Sequence, residues 1–360
     1  MPHQHRRIRS LGIERPNEPY FFEYDEGPAG DGQLRLDLMF TGISAGTELT
    51  FMKGTNPYLH SRWDAGRGVF IPGEASAHYP VNFLGYMEVA RVIDAQAGGF
   101  ANGDVLATTF GHKTGHTANP DHDLLLKMGD LDPMLGIFVA QMGPIAANGI
   151  LHADAEQFGR AVPHLGAGVA GRPVLVWGGG TVGLFCALFA RRAGASEVVV
   201  VDPSGWRQDL ARRMGFDAMG EEAAWQHAKS RWGRGADIVF QTRAHSGSLH
   251  LALRALAPQG VVIDLAFYQG GLEGTRLGEE FHHNGLSIRC AQIQRMPRPL
   301  VHAWNQRRLA QETLALLATE GEAIRRHMIT HVVPFGDAPD FLRHLVRDRP
   351  EFLQIVLEHK

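Results

Sequence analysis

The segment between Gly178 and Gly183 carries the strongest chemical signal in the sequence. It reads Gly-Gly-Gly-Thr-Val-Gly, directly after the apolar run VLVW and at the start of a helical pattern, and it contains the spacing G-x-G-x-x-G. In this context Gly178 permits a tight turn, Gly180 lets a pyrophosphate approach the backbone and the helix N terminus, and Gly183 lets the helix pack on the strand. Together with Thr181 and Val182, these glycines predict a dinucleotide-binding loop.

An acidic residue and a basic residue follow the loop at positions that bear on the choice of dinucleotide. Asp202 ends the next apolar run, EVVVVD, and a carboxylate at this point accepts hydrogen bonds from an adenosine ribose. The same carboxylate repels a 2′-phosphate, so NAD is predicted in preference to NADP. Arg207 leaves NADP open as the less favoured alternative, because its guanidinium either contacts a 2′-phosphate or lies along the adenosine.

Alternating strands and helices must hold this loop in place. From about Pro173 the apolar runs VLVW, EVVVVD, ADIVF and VVIDLAF are separated by helical patterns, such as the apolar face of Val182, Phe185, Cys186 and Phe189. Such alternation predicts a parallel sheet with helices on both faces. The fold class expected is therefore α/β, with a doubly wound Rossmann domain.

The region before this domain has a different pattern, made of short strands and turns. Leu34, Leu36 and Leu38 alternate with Arg35 and Asp37, which is typical of a half-buried strand. Further strands are predicted over 86–94 and 104–110, where glycines bound the apolar runs. The sequence therefore predicts a β-rich domain ahead of the Rossmann domain.

Composition excludes several classes of protein. The chain has 360 residues, is 44% hydrophobic and has a formal net charge of −3, so neither nucleic acid nor a membrane is expected as a partner. Its two cysteines, Cys186 and Cys290, allow no disulfide scaffold, and both are expected to be buried apolar residues. The uncharged stretch 133–151 contains Gln141 and Pro144 and predicts a buried helix rather than a membrane span. No apolar stretch follows the basic start, so no secretory signal is predicted and the cytoplasm is the expected location.

Several motifs resemble the medium-chain dehydrogenase/reductase superfamily over most of the chain. They are GISAGTE at 42–48, GYMEVARV at 85–92, the VLVWGGGTVG loop, GADIVF, and ALAPQGVVIDLAFYQGG. The resemblance implies a GroES-like catalytic domain over 1–150, a Rossmann domain over 151–298, a segment over 299–360 that returns to the catalytic domain, and a homodimer. It also implies cofactor contacts from Asn148, Ala266 and Phe267. Within the superfamily, SAGTE and HHNGLSIRCAQIQRMPRP are similar to the branch that contains bacteriochlorophyllide a dehydrogenase.

The zinc ligands of zinc-type members of this superfamily are missing at the matching positions. The motif that supplies the first cysteine ligand has Ala45 here, the histidine position has Tyr86, and the best match for the third ligand is Pro144. Alanine and proline cannot bind zinc and tyrosine is a poor ligand, so no zinc is predicted. His112 and His116 have a spacing that would suit a metal on a helix, but the glycines around them favour a loop or strand. These histidines are therefore predicted to be structural or exposed.

Without zinc, hydroxyl groups must bind the substrate oxygen and exchange a proton with it. The resemblance implies that Thr47 lies where the family places a proton-relay hydroxyl, that Tyr86 lies near the same point, and that Glu48 matches an acidic residue behind the metal. A phenol has an ordinary pKa of about 10, so acid–base work by Tyr86 calls for a nearby positive charge, and Lys53 and Lys113 are the candidates. The alternatives are a structural turn for Thr47 and Glu48 and a wall of the substrate pocket for Tyr86.

Aromatic residues are dense just before Tyr86. They either pack in the core or form a broad apolar pocket, and the stretch 58–76 has the character of an inserted loop beside the substrate. The members of this group are Phe51, Tyr58, Trp63, Phe70, Tyr79, Phe83 and Tyr86.

The function predicted from these observations is a zinc-independent, NAD(H)-dependent oxidoreductase. It would transfer hydride between the nicotinamide and a secondary alcohol/ketone pair, with a bulky or aromatic substrate as one possibility. Two alternatives stay open. One is an NAD(P)H-dependent reductase of an enone or quinone C=C bond, and the other is a dinucleotide-binding sensor or assembly protein without turnover.

Overall fold

A computed structural model describes residues 5–359 as two compact units. One unit consists of 5–141 together with 329–359, and the other consists of 142–328. This division differs from the predicted boundaries in two places. Residues 142–150 belong to the second unit because they begin a long helix that packs on two other helices of that unit. Residues 299–328 also belong to the second unit, because most of them form one of these two other helices.

The first stretch of the first unit is a series of short strands with one short helix. Strands β1 and β2 form one antiparallel hairpin, and β4 and β5 form another. In chain order the elements are β1 (Arg6–Arg15), β2 (Glu18–Glu26), β3 (Leu34–Ile43), α1 (Glu48–Lys53), β4 (Ser61–Asp64), β5 (Val69–Pro72), β6 (Glu88–Ala95), β7 (Val105–Thr108), β8 (Gly115–Ala118) and β9 (Leu126–Lys127).

The second unit is the doubly wound α/β domain that the alternating pattern predicts. Its six strands are all parallel, in the order β12-β11-β10-β13-β14-β15. In chain order the elements are α2 (Met142–Phe158), β10 (Pro173–Trp177), α3 (Thr181–Arg192), β11 (Glu197–Val201), α4 (Gly205–Arg213), β12 (Asp217–Met219), α5 (Glu221–Arg231), β13 (Ala236–Gln241), α6 (Ser246–Ala255), β14 (Leu256–Asp264), α7 (His282–Asn284), β15 (Ser287–Cys290) and α8 (Gln306–His327).

The last stretch of the chain completes the sheet of the first unit. It comprises β16 (Ile329–Pro334), α9 (Ala338–Asp348) and β17 (Gln354–Glu358). Strand β17 pairs with β3, which gives a seven-stranded sheet in the order β16-β17-β3-β6-β7-β9, with β8 also paired to β3. The fold class is therefore α/β, a parallel Rossmann sheet plus a β-rich unit of the GroES-like kind.

The uncharged stretch 133–151 forms a short 3₁₀ helix, Pro133–Phe138, and the first part of α2. Most of its side chains are buried, as predicted. Within 5–359, no helix combines the length and the apolar character that crossing a bilayer requires.

Candidate active site

The glycine loop has the geometry that a dinucleotide needs. Gly178 follows β10 with φ of 103°, and a Cβ placed on Gly183 would lie 1.8 Å from the Gly178 carbonyl oxygen, so helix α3 can begin here only with glycine at both positions. At Gly180, apart from its chain neighbours and the backbone of its own helix, Arg207 Nη1 at 3.4 Å is the one atom of residues 5–359 within 4 Å of such a Cβ. The loop is thus open beside Gly180, where the N terminus of α3 begins at Thr181 and Val182 and presents backbone N–H groups.

Asp202 is tied to this loop by hydrogen bonds. Its side chain is buried, Oδ2 accepts from the Gly179 amide at 2.8 Å, and Oδ1 accepts from the Ser204 amide at 2.9 Å. A carboxylate has about four acceptor positions, so two remain for ribose hydroxyls. Arg207 Nη1 lies 3.9 Å from Oδ2. The predicted acidic and basic residues are therefore neighbours, and their charges partly offset each other.

The carboxyl ends of the parallel strands meet at one edge of the sheet, and other predicted cofactor residues lie there. Ala266 follows β14, and its amide donates to Asp264 Oδ1 at 2.9 Å. Phe267, beside it, has an exposed side chain. Thr242 follows β13 and donates to the carbonyl oxygen of Trp177 at 2.9 Å, which fixes the end of β10. Nothing in the local sequence singles out Thr242 for that role.

Asn148 lies within α2 and is fully buried. Its Nδ2 donates to the Gln292 carbonyl at 2.9 Å, whereas its Oδ1 is buried and has no hydrogen-bond partner among the described residues. A buried acceptor without a partner is costly, so this oxygen is suited to a donor from a ligand.

In the first unit, Tyr86 forms a cluster of three hydroxyl groups with Ser44 and Thr47. Its phenol donates to Ser44 Oγ and lies 3.3 Å from Thr47 Oγ1. Ser44 and Thr47 flank the turn between β3 and α1, and Tyr86 comes just before β6. Thr47 and Tyr86 were expected to be close, whereas Ser44 was not predicted.

The electrostatics of Tyr86 differ from the expectation of a phenol activated by a cation. Burial raises the pKa of Tyr86, the nearby Glu48 carboxylate raises it further, and the hydrogen bonds to Ser44 and Thr47 only partly offset this. Neither Lys53 nor Lys113 is among the groups that act on this phenol. Tyr86 is therefore a neutral hydrogen-bond donor at ordinary pH.

Glu48 anchors the turn that carries Ser44. Its Oε1 accepts from the Ser44 amide at 3.0 Å, and its Oε2 lies 2.7 Å from His112 Nε2. The other nitrogen of His112 lies 2.8 Å from Thr41 Oγ1, which in turn lies 3.2 Å from His359 Nε2. Burial, with a smaller effect of His112, lowers the pKa of His359 to about 3. A buried polar network therefore supports the turn under Tyr86, and the prediction that His112 is structural fits this position.

Zinc does not fit the place that the superfamily resemblance indicates. Beside Tyr86 the donors are the hydroxyls of Ser44 and Thr47, Ala45 has no ligand atom, and both nitrogens of His112 are already hydrogen-bonded. Zinc prefers thiolate and imidazole ligands in a tetrahedral set. Within the described residues, a group of three potential metal ligands occurs at His250, Glu279 and Glu280, in the second unit. Both of those carboxylates are paired with arginines, Arg276 and Arg254.

The aromatic residues before Tyr86 divide into two groups. Phe51 and Tyr79 pack at the edge of a buried cluster. Tyr58, Trp63 and Phe70 are exposed. Phe70, in the β4–β5 hairpin, packs on Trp63 of the same hairpin and on Tyr58 just before it, with ring centroids 5.0 and 5.8 Å away. Core packing therefore explains only part of the group.

The two cysteines differ in their exposure to solvent. Cys186 is buried in α3, as predicted, and burial raises the pKa of its thiol. The prediction that Cys290 is buried is wrong: it is exposed, because β15 is the edge strand of the sheet and all four of its residues face solvent.

Comparisons with known proteins agree with this fold. Residues 181–297 match the family model described as zinc-binding dehydrogenase. The chain is 25% identical over 355 residues to D-guloside 3-dehydrogenase of Escherichia coli (strain K12), covering 96% of this chain and 97% of that one. It is 32% identical over 120 residues to L-threonine 3-dehydrogenase of Pyrococcus horikoshii, 34% of that protein. The solved structure of an alcohol dehydrogenase from Thermotoga maritima superposes with a TM-score of 0.75 at 17% identity, covering 99% of this chain and 100% of the other.

Proposed function

This chain belongs to the medium-chain dehydrogenase/reductase superfamily, and we propose that it is a zinc-independent oxidoreductase that transfers hydride between NAD(H) and a secondary alcohol/ketone pair. The observation that carries the proposal is the cluster of Tyr86, Ser44 and Thr47. The motif resemblance places this cluster at the position that matches the metal site of zinc-type members. Three hydroxyl groups there offer hydrogen bonds to a substrate oxygen in place of a Lewis acid.

The second unit supplies the cofactor site in this proposal. The nicotinamide, when bound, carries the hydride. The open backbone beside Gly180 and the start of α3 would receive the pyrophosphate, and Asp202 would accept from the ribose hydroxyls. Residues after β14, Ala266 and Phe267, and the unpaired Asn148 Oδ1 are the further contacts that we assign to the cofactor.

The first unit supplies the proton. The raised pKa keeps Tyr86 protonated. In the direction of ketone reduction its single O–H turns from Ser44 Oγ to the carbonyl oxygen, and the hydroxyls of Ser44 and Thr47 then donate to the phenol oxygen. As the oxygen becomes an alkoxide, which is a far stronger base than a phenolate, the proton passes from Tyr86 Oη to it. Ser44 and Thr47 hold the phenol in position and stabilise the phenolate that remains. Glu48 keeps the turn of Ser44 in place through its buried contact with His112.

For the substrate, we propose a secondary hydroxyl on a sugar ring. The support is the relative described as D-guloside 3-dehydrogenase, whose similarity extends over nearly the whole of both chains. A ring hydroxyl with polar neighbours also suits a site of three hydroxyl groups. Reduction of a C=C bond is the second candidate, because it needs no metal and an enolate oxygen would use the same donors.

The test is turnover with and without metal. Methyl glycosides of gulose, glucose and galactose, simple secondary alcohols and an enone are each assayed with both nicotinamide cofactors by the absorbance of the reduced form. We expect NAD-linked oxidation of a glycoside that survives chelator treatment, in protein without stoichiometric zinc. Activity that is lost with a chelator and restored by zinc contradicts the metal-independent mechanism. Reduction of the enone alone would favour the second candidate, and NADH binding without any turnover would favour a sensor.

A further inference from the structure

The first unit contains an open cavity of about 320 Å³ that the proposed reaction does not use. It lies where the segment before β6, the segment after β7 and strand β1 come together. Its lining includes two aromatic rings, a lysine, a threonine and two glycines: Phe83, Phe110, Lys113, Thr109, Gly85 and Gly111. None of these residues belongs to the hydroxyl cluster or to the buried network behind it.

Lys113 is the charged group of this cavity, and it has no ion pair with any residue in 5–359. Its ammonium lies 4.9 Å from the centroid of the Phe110 ring, and burial lowers its pKa. A half-buried ammonium without a counter-ion is unfavourable, so an anion in the cavity would stabilise it.

The carboxylates near Lys113 make their hydrogen bonds and ion pairs with other groups, and Glu88 Oε2 is buried without a hydrogen-bond partner in residues 5–359. Glu26 accepts from Arg6 Nε at 2.7 Å, and Asp123 accepts from a backbone amide. Glu88 Oε1 lies 2.7 Å from His116 Nε2 and accepts from the Thr108 hydroxyl. These groups act on Lys113 only through longer-range attraction, with Arg6 opposing them. The Thr109 hydroxyl also has no hydrogen-bond partner within the described chain, so two of the residues that line the cavity have donors without a partner there.

The floor and one wall of the cavity show why it stays open. Gly111 lines the cavity, and a Cβ placed on it would lie 1.9 Å from the Leu84 carbonyl oxygen. Only glycine therefore fits at this position. Phe83 has φ of 58° and is 59% exposed, packing edge-on against Phe22. A bulky residue in the left-handed region is strained, and such strain concentrates at ligand sites.

We propose that this cavity binds an organic monocarboxylate with a flat apolar body. One ammonium and one hydroxyl match a single carboxylate rather than a phosphate, which carries more charge and requires more donors. The rings of Phe83 and Phe110 match a planar apolar group, and the volume suits a ligand of small aromatic-acid size. This site goes beyond the proposed oxidoreductase reaction, because its occupation requires neither cofactor nor turnover.

The test uses benzoate as probe and benzyl alcohol as its neutral counterpart, titrated by calorimetry into the full chain without cofactor. We expect saturable binding of benzoate and much weaker binding of benzyl alcohol. Lys113→Met removes the charge and keeps the length, and it should weaken benzoate binding by about tenfold to a hundredfold, the usual effect of losing a hydrogen bond to a charged group. Lys127→Met is the matched control, since Lys127 also lies over an aromatic ring, Phe100 at 5.5 Å, but outside the cavity.

Benzoate binding that is absent, or that is equal in the Lys113→Met and Lys127→Met proteins, overturns the proposal. Thermal unfolding of both variants checks that they are folded. Turnover then separates two sources of the carboxylate. A higher KM of Lys113→Met for a 4-carboxyphenyl glycoside but not for the matching phenyl glycoside assigns the carboxylate to the substrate. An unchanged KM for both, with benzoate binding lost, assigns it to a separate small molecule. The binding result stands whether or not the protein turns over a glycoside.

Discussion

Asp202 and Arg207 should set the preference for NADH over NADPH in opposite directions. Two unit charges about 4 Å apart interact by about 4 kcal/mol at the effective dielectric constant of a protein surface. A 2′-phosphate beside Asp202 meets that repulsion, and Arg207 reduces it from 3.9 Å away. Because the Arg207 side chain is 38% exposed, solvent screening limits the amount by which Arg207 reduces this repulsion to about 1–2 kcal/mol. The remaining repulsion, about 2 kcal/mol, corresponds to about a 30-fold preference for NADH.

Two substitutions test this balance. Asp202→Asn keeps an oxygen for the Ser204 amide and removes the charge, so the ratio of the two dissociation constants should fall close to one or reverse. Arg207→Met leaves the carboxylate unopposed, so the ratio should rise by about tenfold. Asp202→Asn also loses the acceptor of the Gly179 amide, which weakens both cofactors alike and leaves the ratio as the informative quantity.

The assay is fluorescence titration of NADH and NADPH at one fixed ionic strength, since screening changes the result. Repeating it at higher salt should shrink the effect of Arg207→Met more than that of Asp202→Asn, because Asp202 is buried and Arg207 is not. If neither substitution alters the ratio, the two side chains do not face the adenosine ribose and the assignment of this site is wrong.

Three further predictions concern the loop, the network and stability. Gly183→Ala should destabilise the protein by about 1–3 kcal/mol in chemical denaturation, whereas Gly180→Ala should leave stability near that of the wild type and weaken NADH binding. Glu48→Gln removes a charge that raises the pKa of Tyr86, so the fall of kcat for ketone reduction at alkaline pH should move to lower pH; an unmoved profile contradicts the role of Tyr86 as donor. Burial raises the pKa of Asp154 to about 6 from 3.8, so the folded state binds more protons between those values and the free energy of unfolding should fall by up to about 3 kcal/mol as pH rises through them. Asp154→Asn should lose that part of the pH dependence, and an identical dependence in both proteins would refute it.

The second unit could be predicted well because its signals are local. The glycine spacing, the apolar run before it and the helical face after it lie within one short segment, and each is confirmed by the geometry of β10 and α3. The parallel sheet follows from the same alternation. Where the first domain ends was harder to predict, because nearly all residues of α2 from Met142 to Asp154 are buried and the sequence pattern does not show which helices α2 packs against.

The network behind Tyr86 could not be predicted because its members are far apart in sequence. Ser44 meets Tyr86, and Glu48 meets His112, only after β3, β6 and the segment after β7 are brought together. The alternation of apolar and polar residues along a strand also cannot show whether other parts of the chain cover the polar face of that strand. Arg35, expected on the exposed face of β3, is 1% exposed, and its Nε lies 3.8 Å from Oε2 of Glu26 in β2.

Tyr86→Phe tests most directly whether the phenol of Tyr86 takes the place of a metal at the substrate oxygen. This change keeps the ring and removes only the hydroxyl that contacts Ser44 and Thr47. Single-turnover hydride transfer from NADH to the ketone of the identified substrate should slow by about 100- to 1000-fold, the usual cost of losing one donor to a developing oxyanion. NADH affinity should be unchanged, and Tyr58→Phe, at an exposed tyrosine, should react at the wild-type rate. A Tyr86→Phe protein that transfers hydride at near the wild-type rate would contradict the account.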